Sequence, residues 1–114
     1  MIPLTTQEQF EAIWNNSDPT TAKPVLIWFS AAWCAPCQRM DKAALEDAAA
    51  RAGLDFYYCD ETVNQYTSGY CGIKSLPTFL AFQPPKRILS RLSNSNTETV
   101  CKWIATLNTE KKYD

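Results

Sequence analysis

Two cysteines separated by two residues are the side chains best able to do chemistry in this sequence. They are Cys34 and Cys37, in the segment CAPC. Residues three apart on a helix have side chains about 5–6 Å from one another, so a small local adjustment permits a disulfide between them. A thiolate attacks a disulfide, and a neighbouring thiol then releases the mixed disulfide. The spacing therefore predicts reversible thiol–disulfide exchange.

The position of the pair favours a reactive first cysteine. The pair follows an apolar run and begins an alanine-rich segment, so Cys34 lies among the unpaired amides at the start of a predicted helix. We expect these amides to lower the pKa of Cys34 below its ordinary value of ~8.5. Cys37, one turn further along, is shielded and suited to resolve the mixed disulfide, and Pro36 stiffens the turn.

Two other interpretations of the pair compete with exchange chemistry. A CxxC pair supplies only half of a tetrahedral zinc site. The chain has no histidine and no second CxxC, and its other cysteines, Cys59, Cys71 and Cys101, are scattered. A static disulfide is typical of secreted proteins, whereas this N-terminus has no basic flank and no apolar signal segment. The sequence favours redox chemistry in the cytoplasm.

Composition excludes most other kinds of site. Without histidine there is no Ser-His-Asp or Cys-His arrangement, and three glycines leave no phosphate-binding loop. Eleven basic and 12 acidic residues include no basic run, which disfavours nucleic-acid binding. The longest apolar run, Val25–Phe29, is far shorter than the ~20 residues that span a bilayer. We expect no bound cofactor or metal, no nucleic acid and no membrane.

Periodicity predicts the elements that position the dithiol. A chain of 114 residues makes one domain, assigned to 1–108, with a tail over 109–114. Apolar spacing and turn residues predict alternating helices and strands. A brief strand before Thr5 is followed by a helix capped by Thr5 and Glu8, a central strand 25–29, a helix 35–52 and a strand 55–59. A short helix within 60–69 carries Val63 and Tyr66. Strands 77–82 and 87–92 follow, and a last helix starts within 94–97, with an apolar face that extends to Leu107.

Two segments of the chain resemble thioredoxins. The segment Trp33–Cys37 (WCAPC) resembles their active-site motif, usually WCGPC, and Gly72–Phe79 (GIKSLPTF) resembles the segment that carries a cis-proline facing the dithiol. The order of predicted elements agrees along nearly the whole chain. The resemblance implies an α/β thioredoxin fold, with a central mixed β-sheet of four to five strands flanked by helices, and a monomer.

The resemblance also assigns roles to residues. It implies that Cys34 attacks and Cys37 resolves, with the disulfide between them as the redox-active group. It implies that a cis Pro77 and the backbone of Leu76 bind an extended substrate segment. The motif residues Trp33, Ala35 and Pro36 would complete the binding surface. The implied reaction is the reduction of protein disulfides, with electrons from a donor of the thioredoxin-reductase type.

A buried acid typical of the family is missing. Trp28, six residues before Cys34, occupies the position where thioredoxins typically carry an aspartate that accepts the proton of the resolving thiol. An indole only donates a hydrogen bond. The partner lysine is also replaced, near Phe56 and Tyr57. We expect Cys37 to lose its proton through water or a surface carboxylate such as Asp41, although a solvated helix carboxylate is the favoured interpretation of Asp41.

Further departures affect the substrate groove. Thioredoxins usually have glycines in the turn between the last two strands and just after the last strand. Pro84 with Pro85, and Ser93, occupy these places here. Ala35 also replaces the glycine of the motif, a change compatible with the start of a helix. Side chains at these positions are expected to alter which partners dock.

The other three cysteines receive separate predictions. Cys59 and Cys101 are expected to be small buried side chains. Cys71, six residues before Pro77, is predicted on the active-site side of the fold. It is either an accessory thiol, open to glutathionylation or intermolecular pairing, or a partly exposed thiol, and the second interpretation is favoured.

Two alternatives to disulfide reduction stay open at this point. The same dithiol can oxidise or isomerise disulfides in an oxidising compartment, since direction depends on the reduction potential. The chain can also be a thioredoxin-like binding module with a weakly active dithiol, which the loss of the buried acid would suit. The intact WCAPC motif and Pro77 favour the reductase.

Overall fold

A computed structural model describes residues 1–107, which form five strands and five helices. Their order along the chain is β1 (Ile2–Pro3), α1 (Gln7–Trp14), β2 (Val25–Ser30), α2 (Ala35–Gln38), α3 (Lys42–Arg51), β3 (Asp55–Asp60), α4 (Gln65–Tyr70), β4 (Thr78–Gln83), β5 (Arg87–Ser93) and α5 (Thr97–Ala105). The predicted tail over 109–114 lies outside the described residues.

The five strands form one mixed sheet. Their order across the sheet is β1-β3-β2-β4-β5. Strands β1 and β2 pair with β3 in parallel, whereas β4 runs antiparallel to β2 and β5 runs antiparallel to β4. This topology confirms the predicted α/β thioredoxin fold with a mixed sheet, including the short strand before Thr5.

The central strand leads directly to the dithiol. All six residues of β2 are buried, because β3 and β4 flank it and helices cover both faces. A continuous apolar run is typical of such a strand, so the prediction for 25–29 is confirmed. Side chains alternate between the faces, with Leu26 and Trp28 in one core cluster and Ile27 and Phe29 in the other.

The helices divide into two layers around this sheet. Buried residues of α2, α3 and α5 join the cluster that contains Trp28, and α1 packs on the opposite cluster. Leu76, in the loop before β4, packs against both clusters. The loop that precedes β4 is thereby fixed at the same end of the sheet as the dithiol.

The predicted helix over 35–52 is wrong as a single element. It consists of α2 and α3, separated at residues 39–41. Asp41 has an extended backbone and its Oδ1 accepts a hydrogen bond from the amide of Ala44 at 3.1 Å. Aspartate is unfavourable inside a helix and favourable as an N-cap, and buried Met40 anchors the break in the core.

Other element boundaries differ by a few residues. The cap of α1 is Thr6 rather than Thr5, since Thr6 Oγ1 accepts from the amide of Gln9 at 3.0 Å. Val63 lies before α4 rather than on it, and Leu107 follows the end of α5 but still packs on the core. Among residues 1–107, no helix has the length and apolar character needed to cross a membrane.

Candidate active site

Cys34 and Cys37 form a disulfide at the start of α2. Their Cα atoms are 5.3 Å apart, and Cys34 is the N-cap of the helix. The amide of Cys37 donates a hydrogen bond to Cys34 Sγ at 3.3 Å. Both cysteines are buried, Cys34 with 4% of its surface exposed and Cys37 with none. The predicted pairing is present, and of the two residues only Cys34 keeps any exposed surface.

Two hydrogen bonds to the carbonyl of Ala31 hold this loop in place at the end of β2. The amide of Cys34 donates to the carbonyl of Ala31 at 3.0 Å, and Gln38 Nε2 donates to the same carbonyl at 2.9 Å. Pro36 occupies the first turn of α2, where an amide has no helical partner. The dithiol is therefore presented by a rigid strand end rather than by a free loop.

The expected effect of the helix dipole is smaller than the sequence suggested. A helix dipole grows with aligned peptide units, and α2 contains only four residues. What remains close to the sulfur is the amide of Cys37. A backbone donor of this kind stabilises negative charge on sulfur, and the reactivity of Cys34 in the reduced protein stays a prediction.

The predicted cis-proline is confirmed beside the dithiol. The Leu76–Pro77 peptide bond is cis. Together with Pro36 it borders a groove of about 200 Å³. The whole lining consists of Pro36, Ser75, Leu76, Pro77, Ser93, Asn94 and Ser95. The structure thus brings together three of the five residues predicted to bind substrate.

The remaining motif residues, Trp33 and Ala35, lie on the protein surface. Trp33 is 67% exposed and Ala35 is also exposed. Tryptophan side chains are usually largely buried. Aromatic side chains that are exposed are common at binding surfaces. Both residues are therefore accessible to a docking protein.

Trp28 fills the interior behind the dithiol. It is fully buried and belongs to the same core cluster as Cys34 and Cys37. Its Nε1–H is buried and has no hydrogen-bond acceptor within residues 1–107. Phe56 is buried and Tyr57 is half-buried, so neither position that holds the acid–lysine pair in the family carries a charge here.

A cation nevertheless lies against Trp28. Lys42 Nζ is 5.8 Å from the centroid of the Trp28 ring, within the range of a cation–π contact. Sequence reasoning missed this residue because Lys42 is the first residue of α3, and the break before α3 was not predicted. The positive charge beside Trp28 is therefore supplied by α3, whereas the lysine typical of the family lies on a strand.

Asp41 lies elsewhere than predicted. It is exposed and lies beyond the end of α2, so it is not on the helix of Cys37. Its Oδ1 is engaged in capping α3, and its backbone amide donates to Thr97 Oγ1 at 3.1 Å. These contacts give Asp41 a structural role in joining α3 to the start of α5. Its part in proton transfer stays a prediction.

Two of the remaining cysteines differ in burial. Cys59 is buried as predicted, and this burial, followed by the charges of Cys71 and Asp60, raises the pKa of its thiol to about 12. The prediction of a buried Cys101 is wrong, since it is half-buried. The reason is that alanines of α3 and α5 leave a groove of about 430 Å³ beside it.

Cys71 is a half-buried thiol at the end of α4. It packs against the cluster opposite to that of Cys34 and Cys37. Burial raises the pKa of its thiol to about 11, with Arg91 opposing the shift. The two Arg91 nitrogens donate to the carbonyls of Cys71 and Gly72. The favoured interpretation, a partly exposed thiol, agrees with this position.

The fold and the site together define a class of protein. A CxxC disulfide on the first turn of a helix, beside a cis-proline and at the end of the central strand of a mixed sheet, is the arrangement of a thiol–disulfide oxidoreductase. The family model described as Thioredoxin matches residues 1–106. The chain belongs to the thioredoxin family.

Curated relatives agree with this assignment. Thioredoxin from Geodia cydonium is 32% identical over 74 residues, which cover 65% of this chain and 70% of that protein. Thioredoxin Y2, chloroplastic, from Arabidopsis thaliana is 31% identical over 108 residues, covering 79% of this chain. The match spans only 59% of the Arabidopsis protein.

Solved structures show the same fold. Plasmodium falciparum thioredoxin superimposes with a TM-score of 0.78 at 22% identity, covering 93% of this chain and 98% of that one. Mitochondrial thioredoxin 3 from Saccharomyces cerevisiae, in its oxidised form, gives a TM-score of 0.76 at 22% identity, covering 94% and 95%. At this identity the similarity is one of fold.

Proposed function

We propose that this protein reduces disulfides in other proteins. The thiolate of Cys34 attacks one sulfur of the substrate disulfide, which breaks that bond and releases the other substrate sulfur as a thiol. Cys37, after losing its proton, attacks Cys34 Sγ. The Cys34–Cys37 disulfide forms and the second substrate sulfur leaves as a thiol, so two electrons pass from the dithiol to the substrate.

The observation that carries this proposal is the asymmetric burial of the pair beside an open groove. Cys34 is buried but keeps 4% of its surface exposed, and its Sγ accepts a hydrogen bond from the amide of Cys37, whereas Cys37 is fully buried. The groove bordered by Leu76 and Pro77 opens beside α2. An extended substrate segment in this groove would present its disulfide to Cys34 first.

The proton of Cys37 goes to water in this proposal. Trp28 has no group that can accept it, and the carboxylate of Asp41 is engaged in capping α3. Water that enters when Cys34 is tied up in the mixed disulfide is the simplest acceptor. Asp41 is the competing acceptor.

The other three thiols support a reducing compartment for this exchange. Cys59, Cys71 and Cys101 are free, and unpaired cysteines are typical of a reducing compartment. We therefore place the protein in the cytoplasm, as a monomer that receives electrons from a reductase of the thioredoxin-reductase type. The relatives include proteins named as chloroplastic, which makes a reducing organelle the competing location. The reaction needs no bound cofactor, because the dithiol itself carries the electrons.

Insulin reduction by dithiothreitol tests the proposal. The wild-type protein should accelerate precipitation of the insulin B chain, and Cys34→Ser should abolish the acceleration. Cys101→Ser is the matched control, since it removes a thiol outside the site whose Sγ donates only to the carbonyl of Ala44. Activity that survives Cys34→Ser would contradict the mechanism.

The reduction potential distinguishes the alternative direction. A reductase should have a potential near that of thioredoxins, about −270 mV. A value near or above that of glutathione would instead support a disulfide oxidant or isomerase. No acceleration by the wild-type protein, despite a reducible Cys34–Cys37 disulfide, would support a binding module with a weakly active dithiol.

A further inference from the structure

The groove beside the dithiol is lined by both apolar and polar residues. Pro36, Leu76 and Pro77 are the apolar ones, and the polar ones are Ser75, Ser93, Asn94 and Ser95. No charged side chain contributes to the lining. A substrate segment in this groove would therefore meet neutral hydrogen-bonding groups close to the reacting sulfur.

A short relay of hydrogen bonds fixes the direction of the Ser93 hydroxyl. Thr78 Oγ1 donates its single proton to the carbonyl of Ser75 at 2.7 Å. The contact between Thr78 Oγ1 and Ser93 Oγ, at 2.6 Å, then requires Ser93 to be the donor, because a hydroxyl has only one proton to give. Ser93 Oγ is left with lone pairs alone, and because Ser93 lines the groove it can only accept a hydrogen bond there.

Asn94 presents the opposite polarity. Its Oδ1 accepts a hydrogen bond from the backbone amide of Asn96 at 2.8 Å. A backbone amide only donates, so this contact identifies the oxygen of the side chain. Its Nδ2 has no side-chain or backbone acceptor within residues 1–107. The two neighbouring residues thus offer one acceptor and one donor.

We propose that Ser93 and Asn94 select substrates that carry an uncharged side chain with both a donor and an acceptor, such as Ser, Thr, Asn or Gln, next to the reacting cysteine. This inference rests on the proposed reduction of protein disulfides and names its substrate class. A carboxylate has no proton for Ser93, an ammonium group has no lone pair for Asn94, and an aliphatic side chain would leave both groups dehydrated and unpaired.

Paired peptides test this selection. Each peptide contains one cysteine in a mixed disulfide with a small thiol. Thr or the isosteric Val is placed in turn at the positions directly before and directly after that cysteine. The reduced wild-type protein should reduce the Thr peptide about 3- to 10-fold faster than the Val peptide at one or more positions, as expected for one or two neutral hydrogen bonds. The double variant Ser93→Ala, Asn94→Ala should bring this ratio to about 1.

Two single variants show that polarity, rather than shape, is responsible. Thr78→Val removes the group to which Ser93 donates, so the freed hydroxyl can donate into the groove, and reduction of an Asp-containing peptide should rise relative to the Val peptide. Ser17→Ala removes an exposed hydroxyl outside the groove lining and should leave the Thr-to-Val ratio within about twofold of wild type.

The outcomes separate this inference from the proposed function. Equal rates for Thr and Val peptides at all positions, or a ratio that survives the double variant, would overturn the inference while leaving disulfide reduction intact. If the wild-type protein reduced none of the peptides faster than the Cys34→Ser variant does, both the inference and the proposed function would be overturned. Cysteine-specific reduction with the expected ratio would support both.

Discussion

Trp28 and Phe79 are directly opposite one another on β2 and β4, and their rings stack with centroids 5.7 Å apart and planes inclined by 12°. Tyr58 adds an edge contact to the same indole, with ring centroids 5.3 Å apart. The position that holds an acid in typical thioredoxins is therefore part of an aromatic cluster in this chain. Behind the dithiol, this chain has aromatic side chains where typical thioredoxins have a proton acceptor.

Loss of this indole should destabilise the fold strongly. Trp28→Ala is expected to lower the free energy of unfolding by about 3–5 kcal/mol, because it leaves a cavity between Phe79 and Tyr58. Trp33→Ala is the matched control, since Trp33 is 67% exposed, and it should change stability by about 0.5 kcal/mol or less. Urea unfolding of the oxidised proteins, followed by circular dichroism, measures both. Similar losses for the two variants would contradict the assigned packing.

Asp41→Asn should leave the chemistry unchanged. Asparagine keeps the side-chain oxygen that caps α3 and is as good a cap as aspartate, but it cannot take up a proton. If Cys37 gives its proton to water, single-turnover reduction of a peptide disulfide should keep the same pH profile. A loss of the rate's dependence on pH in the acidic range would instead make Asp41 the acceptor.

Asp41→Ala should cost about 0.5–2 kcal/mol of stability through loss of the cap.

Cys71 should react slowly with alkylating agents. With a thiol pKa of about 11, only about one molecule in 10,000 carries the thiolate at pH 7. Native oxidised protein treated with iodoacetamide should therefore be labelled at Cys71 about 100-fold more slowly than the same protein in urea, with the rate rising about tenfold per pH unit. Peptide mass mapping gives the rate. Labelling as fast as in urea would support the accessory role instead.

Stability should fall at alkaline pH because of Cys59. The folded state keeps its thiol protonated up to a pKa of about 12, whereas the unfolded chain releases that proton near its ordinary value. The stabilisation is complete below pH 8 and is lost as the pH rises towards 12, at up to ~1.4 kcal/mol per pH unit. Urea unfolding between pH 8 and 10 should therefore show a shallower decline for Cys59→Ala. Parallel slopes for the two proteins would exclude this linkage.

The elements and the dithiol could be predicted because they depend on local patterns. The continuous apolar run at Val25–Phe29 indicated a central strand, and the WCAPC and GIKSLPTF segments located Cys34, Cys37 and Pro77. These predictions needed only the spacing of residues along the chain. The sequence also indicated that Trp28 is an indole in the place of an acid.

Features that depend on contacts between distant segments were not predictable. The break before α3 is held by buried Met40 and by the Asp41 amide, which donates to Thr97 Oγ1 56 residues away, and only the folded chain brings Lys42 to the face of Trp28. The relay from Thr78 to Ser93 joins residues 15 apart in sequence, across neighbouring strands. Apolar periodicity contains no information on such pairs.

The central claim is that Cys34 alone attacks the substrate. It is tested most directly by mixing the reduced Cys37→Ser variant with a peptide disulfide and measuring the intact mass and the modified peptide. The account predicts a stable adduct, one peptide per molecule, at Cys34, because the buried residue that would release it is gone. The wild-type protein should instead give the Cys34–Cys37 disulfide with no adduct. An adduct at Cys71 or Cys101, or none at all, would contradict the mechanism.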